Sequence, residues 1–130
     1  MNYISIFVAI ILSVILGFVW YSPVVFGKKW IKLNNIDPKK IRDSRSGMYF
    51  LPVISSIITA SILALLMNLL NATTWQAGAF IGLIVWFGFA LPTQLLPWAF
   101  SGKKMEALLL DTMYPFIAFI LMGALIAGWR

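Results

Sequence analysis

Four long apolar stretches, set apart by one polar segment and two short connections, organise the chain. The first is unbroken from Tyr3 to Trp20 and, at about 1.5 Å per residue, covers most of a ~30 Å hydrocarbon core. Two aromatics of the kind that sit at a membrane interface, Trp20 and Tyr21, end it. Pro23 then blocks helix continuation, and the first lysines follow. These features place span 1 at 3–22. No basic residue precedes it and no small-residue cleavage site follows, so it reads as a retained span, not a removed signal. Span 2 is placed at 47–70, with Pro52 near its start, where a missing N–H is tolerated. Span 3 is placed at 75–98, bracketed by Trp75 and Trp98, and span 4 at 105–129. The runs are apolar around their whole circumference, unlike the one-sided helices of a soluble bundle. The predicted fold class is all-α: an integral membrane four-helix bundle forming a single transmembrane domain over residues 1–130.

The polar segment, residues 24–46, carries Lys28, Lys29, Lys32, Lys39, Lys40, Arg42 and Arg45 against Asp37 and Asp43. Phe26, Trp30 and Leu33 recur at the spacing of one helical face, with lysines opposite. That pattern predicts a short amphipathic interfacial helix between spans 1 and 2, with Lys28, Lys29, Lys32 and Trp30 at the lipid headgroups. Asp37 followed by Pro38 predicts the start of a further helical turn. The lysines either anchor the chain to anionic lipid or simply set its topology.

Composition sharpens this picture. Of 130 residues, 62% are hydrophobic and 11% charged, where a soluble domain carries about a quarter charged residues. The net charge of +6 lies beside the spans, which points to lipid headgroups and not to nucleic acid. The segment after span 1 holds the seven basic residues named above, the one after span 3 holds Lys103 and Lys104, and the one after span 2 holds none. With four spans, the positive-inside rule puts both basic loops in the cytoplasm and both termini outside, in a bacterial inner membrane.

Small residues recur every fourth position in three spans: Ala9, Ser13 and Gly17; Ser56, Ala60 and Ala64; Gly78 and Gly82. Such stripes let helix backbones approach closely. Several of them together predict a homo-oligomer. The four-residue connection at 71–74 predicts that spans 2 and 3 lie side by side.

Candidate chemistry is sparse. Without Cys or His, thiolate catalysis, iron–sulfur ligation and histidine acid–base chemistry are excluded within this chain. No nucleophile–base pair or phosphate loop is visible, so neither enzymatic activity nor a cofactor is expected. Asp111 stands out, roughly 8 Å from the midplane of span 4 and about 7 Å inside the hydrocarbon boundary by the helical rise. A carboxylate there costs a few kcal/mol (about 2.5–3.5 even on lenient scales) and must face protein or water. Gln94 and Thr93 of span 3, Ser55 of span 2 and Tyr21 of span 1 fall in the same half. Pro115 frees the backbone carbonyl of Asp111. One reading is a polar cavity open to the cytoplasm and centred on Asp111, with Gln94 and Tyr21 as partners. The other is an interhelical staple with no solute involved.

Trp20-Tyr-Ser-Pro23 followed by Phe26-Gly-Lys-Lys-Trp30 resembles the N-terminal signature of the domain-of-unknown-function family 1761. The likeness continues at Gly82-Leu-Ile-Val-Trp-Phe-Gly-Phe89, at Asp111-Thr-Met-Tyr114, at Leu121-Met-Gly-Ala124 and at Trp129. Met113 stands where the family pattern has glycine. The resemblance implies a four-span membrane protein without assigned function, and adds Tyr114 to Tyr21 and Asp111 as a candidate site residue. The functional expectation is a carrier or channel for a small solute or ion. Its alternative is a non-catalytic accessory protein that binds anionic lipid or a partner through the basic loop.

Overall fold

In the computed structural model, which describes residues 2–22, 24–34 and 50–129, every regular element is helical. They are α1 (Tyr3–Trp20), α2 (Gly27–Leu33), α3 (Phe50–Leu69), α4 (Trp75–Val85), a π-helical turn (Trp86–Ala90), α5 (Leu91–Ser101) and α6 (Met105–Gly128). Helix α4, the π turn and α5 run on as one span, so four helices are long and apolar enough to cross a membrane. The predicted start of span 2 at Gly47 and the turn at 37–41 lie outside the described residues.

Local chemistry sets the ends of these helices. Asn2 caps α1, its Oδ1 accepting from the Ile4 N–H at 3.0 Å. At the end of α3 the Ala72 N–H reaches back to Met67 O at 2.9 Å while Asn71 takes φ 53°. This is a left-handed cap that asparagine tolerates better than most residues. Thr74 then caps α4 through the Ala77 N–H, and Gly102, at φ 72°, ends α5.

The tight loop at 71–74 does not make spans 2 and 3 neighbours along their length. Helix α4 lies instead on α6, and α3 and α4 touch little. The reason is backbone access. A Cβ on Gly78 would stand 2.0 Å from Gly123 O, and one on Gly82 would stand 2.2 Å from Phe119 O. Only glycine lets the two backbones come so near, and lipid supplies no hydrophobic force to substitute for that packing. Helix α6 is the hub, packing on α1, α3 and α4. Its Ala118, Met122, Ile126 and Ala127 join Ala9, Ala60, Leu63, Ala64 and Met67 in the core.

The stripes read as packing surfaces do pack, but on one another. Ala9 and Ser13 of the α1 stripe and Ser56, Ala60 and Ala64 of the α3 stripe are buried within the single chain, and Gly17 lies half-buried against Tyr114. Large apolar side chains such as Phe7, Ile15, Ile58, Phe80 and Leu96 point outward, as a lipid-facing surface requires.

Span 3 changes character at the π turn. A proline at position 92 would crowd the carbonyl four residues back in an α ladder. The ladder has already shifted register by one residue, with the Leu91 N–H donating to Trp86 O. Trp86 pins this turn to α6, donating its indole N–H to Thr112 O at 2.8 Å and meeting Phe116 edge-on at 4.7 Å. Beyond that anchor α5 buries none of its residues. The helix continues through Pro97 without a break, and a gap opens between α5 and α3.

Candidate functional site

The chain reverses sharply after α1, and glycine is what permits it. The Phe26 N–H donates to Trp20 O at 3.1 Å and the Gly27 N–H to Ser22 O at 2.7 Å. A Cβ on Gly27 would stand 2.3 Å from Tyr21 O. Trp20 and Phe26 close the turn with ring centroids 4.6 Å apart. The turn lays α2 against the start of α6, where Lys29 pairs with Glu106 at 3.0 Å on the exposed side. Lys103 reaches Asn34 at the end of α2. Lys28, Lys29 and Lys32 are exposed and Trp30 is half-buried.

Trp30 turns inward. Its indole N–H donates to Asp111 Oδ1 at 3.0 Å, and the Tyr21 hydroxyl donates to the same oxygen at 3.2 Å. Trp20 donates to the adjoining Leu110 O at 3.0 Å. Asp111 thus meets Tyr21, its expected partner, and also Trp30, which the reading of α2 as a headgroup contact did not connect to it. Trp30 sits 81 residues before Asp111, and no local pattern links the two. Among the described residues no hydrogen bond joins Gln94 to Asp111. The two side chains share the lining of a pocket of ≈100 Å³ together with Lys103 and Trp98.

A larger cleft of ≈360 Å³ lies in the gap between α3 and α5. Helix α3 contributes Ser55, Ser56 and Thr59 to it, and α5 contributes Thr93 and Gln94. Ser13 of α1 and Tyr114 of α6 complete the polar lining, so every span supplies at least one group. Gln94 borders both cavities.

Three of these groups form a fixed chain. Ser56 Oγ donates to Ser13 Oγ at 3.0 Å, the Ser13 and Tyr114 hydroxyls lie 3.2 Å apart, and Tyr114 donates to Ser13 O at 2.8 Å. Tyr114 lies across Gly17, where an added Cβ would come within 3.0 Å of its hydroxyl. Its ring also meets that of Tyr21, 6.0 Å away at 70°, which links the chain to the Asp111 cluster. Ser13, Ser56 and Thr59 were not among the expected cavity residues. Ser13 and Ser56 do stand in the small-residue stripes, where a hydroxyl in place of Ala or Gly was the available signal.

Four apolar spans around a cleft lined by hydroxyls and an amide, beside an aspartate tied by aromatic donors, define a multi-span helical membrane protein with a polar interior. Residues 4–127 match the family model described as Protein of unknown function (DUF1761), and the chain belongs to that family. No curated protein and no solved structure matches the chain.

Proposed function

We propose that the protein is a carrier or channel for a small polar solute, with the cleft as its binding chamber and the Asp111 pocket at its cytoplasmic mouth. The observation that carries this reading is the gathering of polar side chains from all four spans onto one cleft of ≈360 Å³. That volume falls within the range of small-molecule sites, about 300–1,000 Å³. Hydroxyl and amide groups scattered over lipid-facing surfaces would each be costly. Collected on a cavity, they can be met by water or solute.

Reconstituted into liposomes, the protein should speed osmotic re-swelling in small neutral solutes over protein-free vesicles. Gln94→Leu should slow it by up to ~10-fold, the worth of one lost hydrogen bond. An internal pH dye reads proton movement in the same vesicles, with Asp111→Asn as the comparison. Rates equal to protein-free vesicles for every solute and for protons would overturn the carrier reading.

The second reading, an accessory protein without transport, draws on the Asp111 cluster. Both of its hydrogen bonds converge on Oδ1, as in a staple that fixes α2 and the end of α1 to α6. In that reading the exposed Lys28, Lys29 and Lys32 hold anionic lipid or a partner. Self-association is a separate element of the proposal, and the small-residue stripes lend it no support because they pack within one chain.

The proposed orientation has both basic loops in the cytoplasm of a bacterial inner membrane and both termini outside. With no native cysteine, a single Thr73→Cys should react with an impermeant maleimide in intact cells. Reaction only after permeabilisation would reverse the topology.

A further inference from the structure

The chemistry of the ligand follows from where the cleft's protons already point, taking as given the reading of the cleft as a binding chamber. A hydroxyl has one proton and two lone pairs. The Ser56 proton is engaged by Ser13 Oγ, and the Tyr114 proton by Ser13 O. With the Tyr114 proton so engaged, the 3.2 Å contact between the two hydroxyls is made by the proton of Ser13. Thr93 gives its proton to Ala90 O at 2.8 Å, within its own turn. Four of the six hydroxyls lining the cleft, one from each span, therefore have lone pairs, and no protons, left to offer, while Ser55 and Thr59 keep both.

Charge narrows the class further. Among the described residues, no Asp, Glu, Lys or Arg lines the cleft. A cation would find oxygen lone pairs there but no compensating charge. An anion would likewise find no compensating charge there. A neutral solute carrying O–H or N–H donors fits both constraints.

We infer that the cleft recognises an uncharged solute through that solute's hydrogen-bond donors, as a polyol or a simple amide would offer. Ser56 and Thr93 act as acceptors from opposite walls, and Gln94, with both kinds of group, reads the remaining polar edge.

The absence of native cysteine makes the test direct. Thr59→Cys, at the cleft wall, is introduced into the full chain in nanodiscs, and its alkylation by a small maleimide is timed. Ser55→Cys serves as a second reporter should the first variant fold poorly. The probes are erythritol and urea below denaturing concentration, each set against its fully methylated counterpart, which keeps the oxygens and loses the donors. Sodium and ammonium chloride are the ionic comparisons.

Erythritol or urea should slow alkylation several-fold where the methylated forms do not. Thr93→Val or Ser56→Ala should raise the half-protecting concentration by ~10-fold. Equal protection by donor and methylated probes, protection by the salts alone, or no protection by any probe would each overturn the inference. Protection without flux in liposomes would keep donor recognition and remove the carrier. Flux of the methylated and unmethylated solutes alike would keep the carrier and remove donor recognition.

Discussion

Gly78→Ala should lower the stability of the bundle by about 3 kcal/mol or more, at or beyond the upper end of what overpacking a core usually costs. The new methyl group would meet Gly123 O at 2.0 Å, a backbone atom on the facing helix that cannot rotate away. Relief requires α4 and α6 to separate along the closest helix–helix interface among the described residues. Gly82→Ala, facing Phe119 O at 2.2 Å, should behave alike. The control is Gly88→Ala in the same span, where an added Cβ meets nothing within 4 Å. Alanine there should be neutral or slightly stabilising, since glycine is the poorer helix former by up to ~1 kcal/mol. Unfolding in mixed micelles with rising SDS, followed by tryptophan fluorescence or helicity, gives the comparison. Equal midpoints for Gly78→Ala and Gly88→Ala would mean that α4 and α6 are not in this contact.

The second large effect is expected at Asp111. Asp111→Ala strands the Trp30 N–H and the Tyr21 hydroxyl, and leaving a buried donor without its acceptor costs about 1–3 kcal/mol. A loss of about 2–3 kcal/mol is expected, and Trp30→Phe should account for much of it. In a double-mutant cycle the pair should show a coupling of at least about 1 kcal/mol, because each substitution removes the same contact. Gly27→Ala should abolish that coupling from a distance, since its Cβ would collide with Tyr21 O and push α2 off α6. Additive losses in the cycle would detach Trp30 from Asp111. A cycle that couples while solute flux is unchanged in Asp111→Asn would mark Asp111 as a staple.

The glycine in the Phe26-Gly-Lys-Lys-Trp30 stretch shows how far a motif can be read and where reading stops. Pro23 and the amphipathic spacing after it announce the end of one helix and the start of another, and Gly27 lets the chain reverse between them. That the reversal returns Trp30 to an aspartate 81 residues later depends on how α1 and α6 cross. The serines of the stripes carry the same lesson. Ser13 and Ser56 fit a small-residue interface by size alone, and size does not reveal that their hydroxyls pair with each other and with Tyr114.

By itself the sequence determined four membrane-crossing helices, their approximate ends, the family and the positions where backbones can approach. These follow from quantities local to each segment: apolar length, proline and glycine placement, and side-chain volume. Tertiary structure alone decided that α6 is the hub, that α4 lies on α6 and not on α3, and that the stripes are used within one chain. It also decided that α5 swings clear beyond Trp86 to open a cleft. Each of those outcomes turns on which of several equally small or equally apolar faces meet. In lipid, where apolar faces gain nothing by hiding from the solvent, close backbone fit and a few polar contacts make that choice.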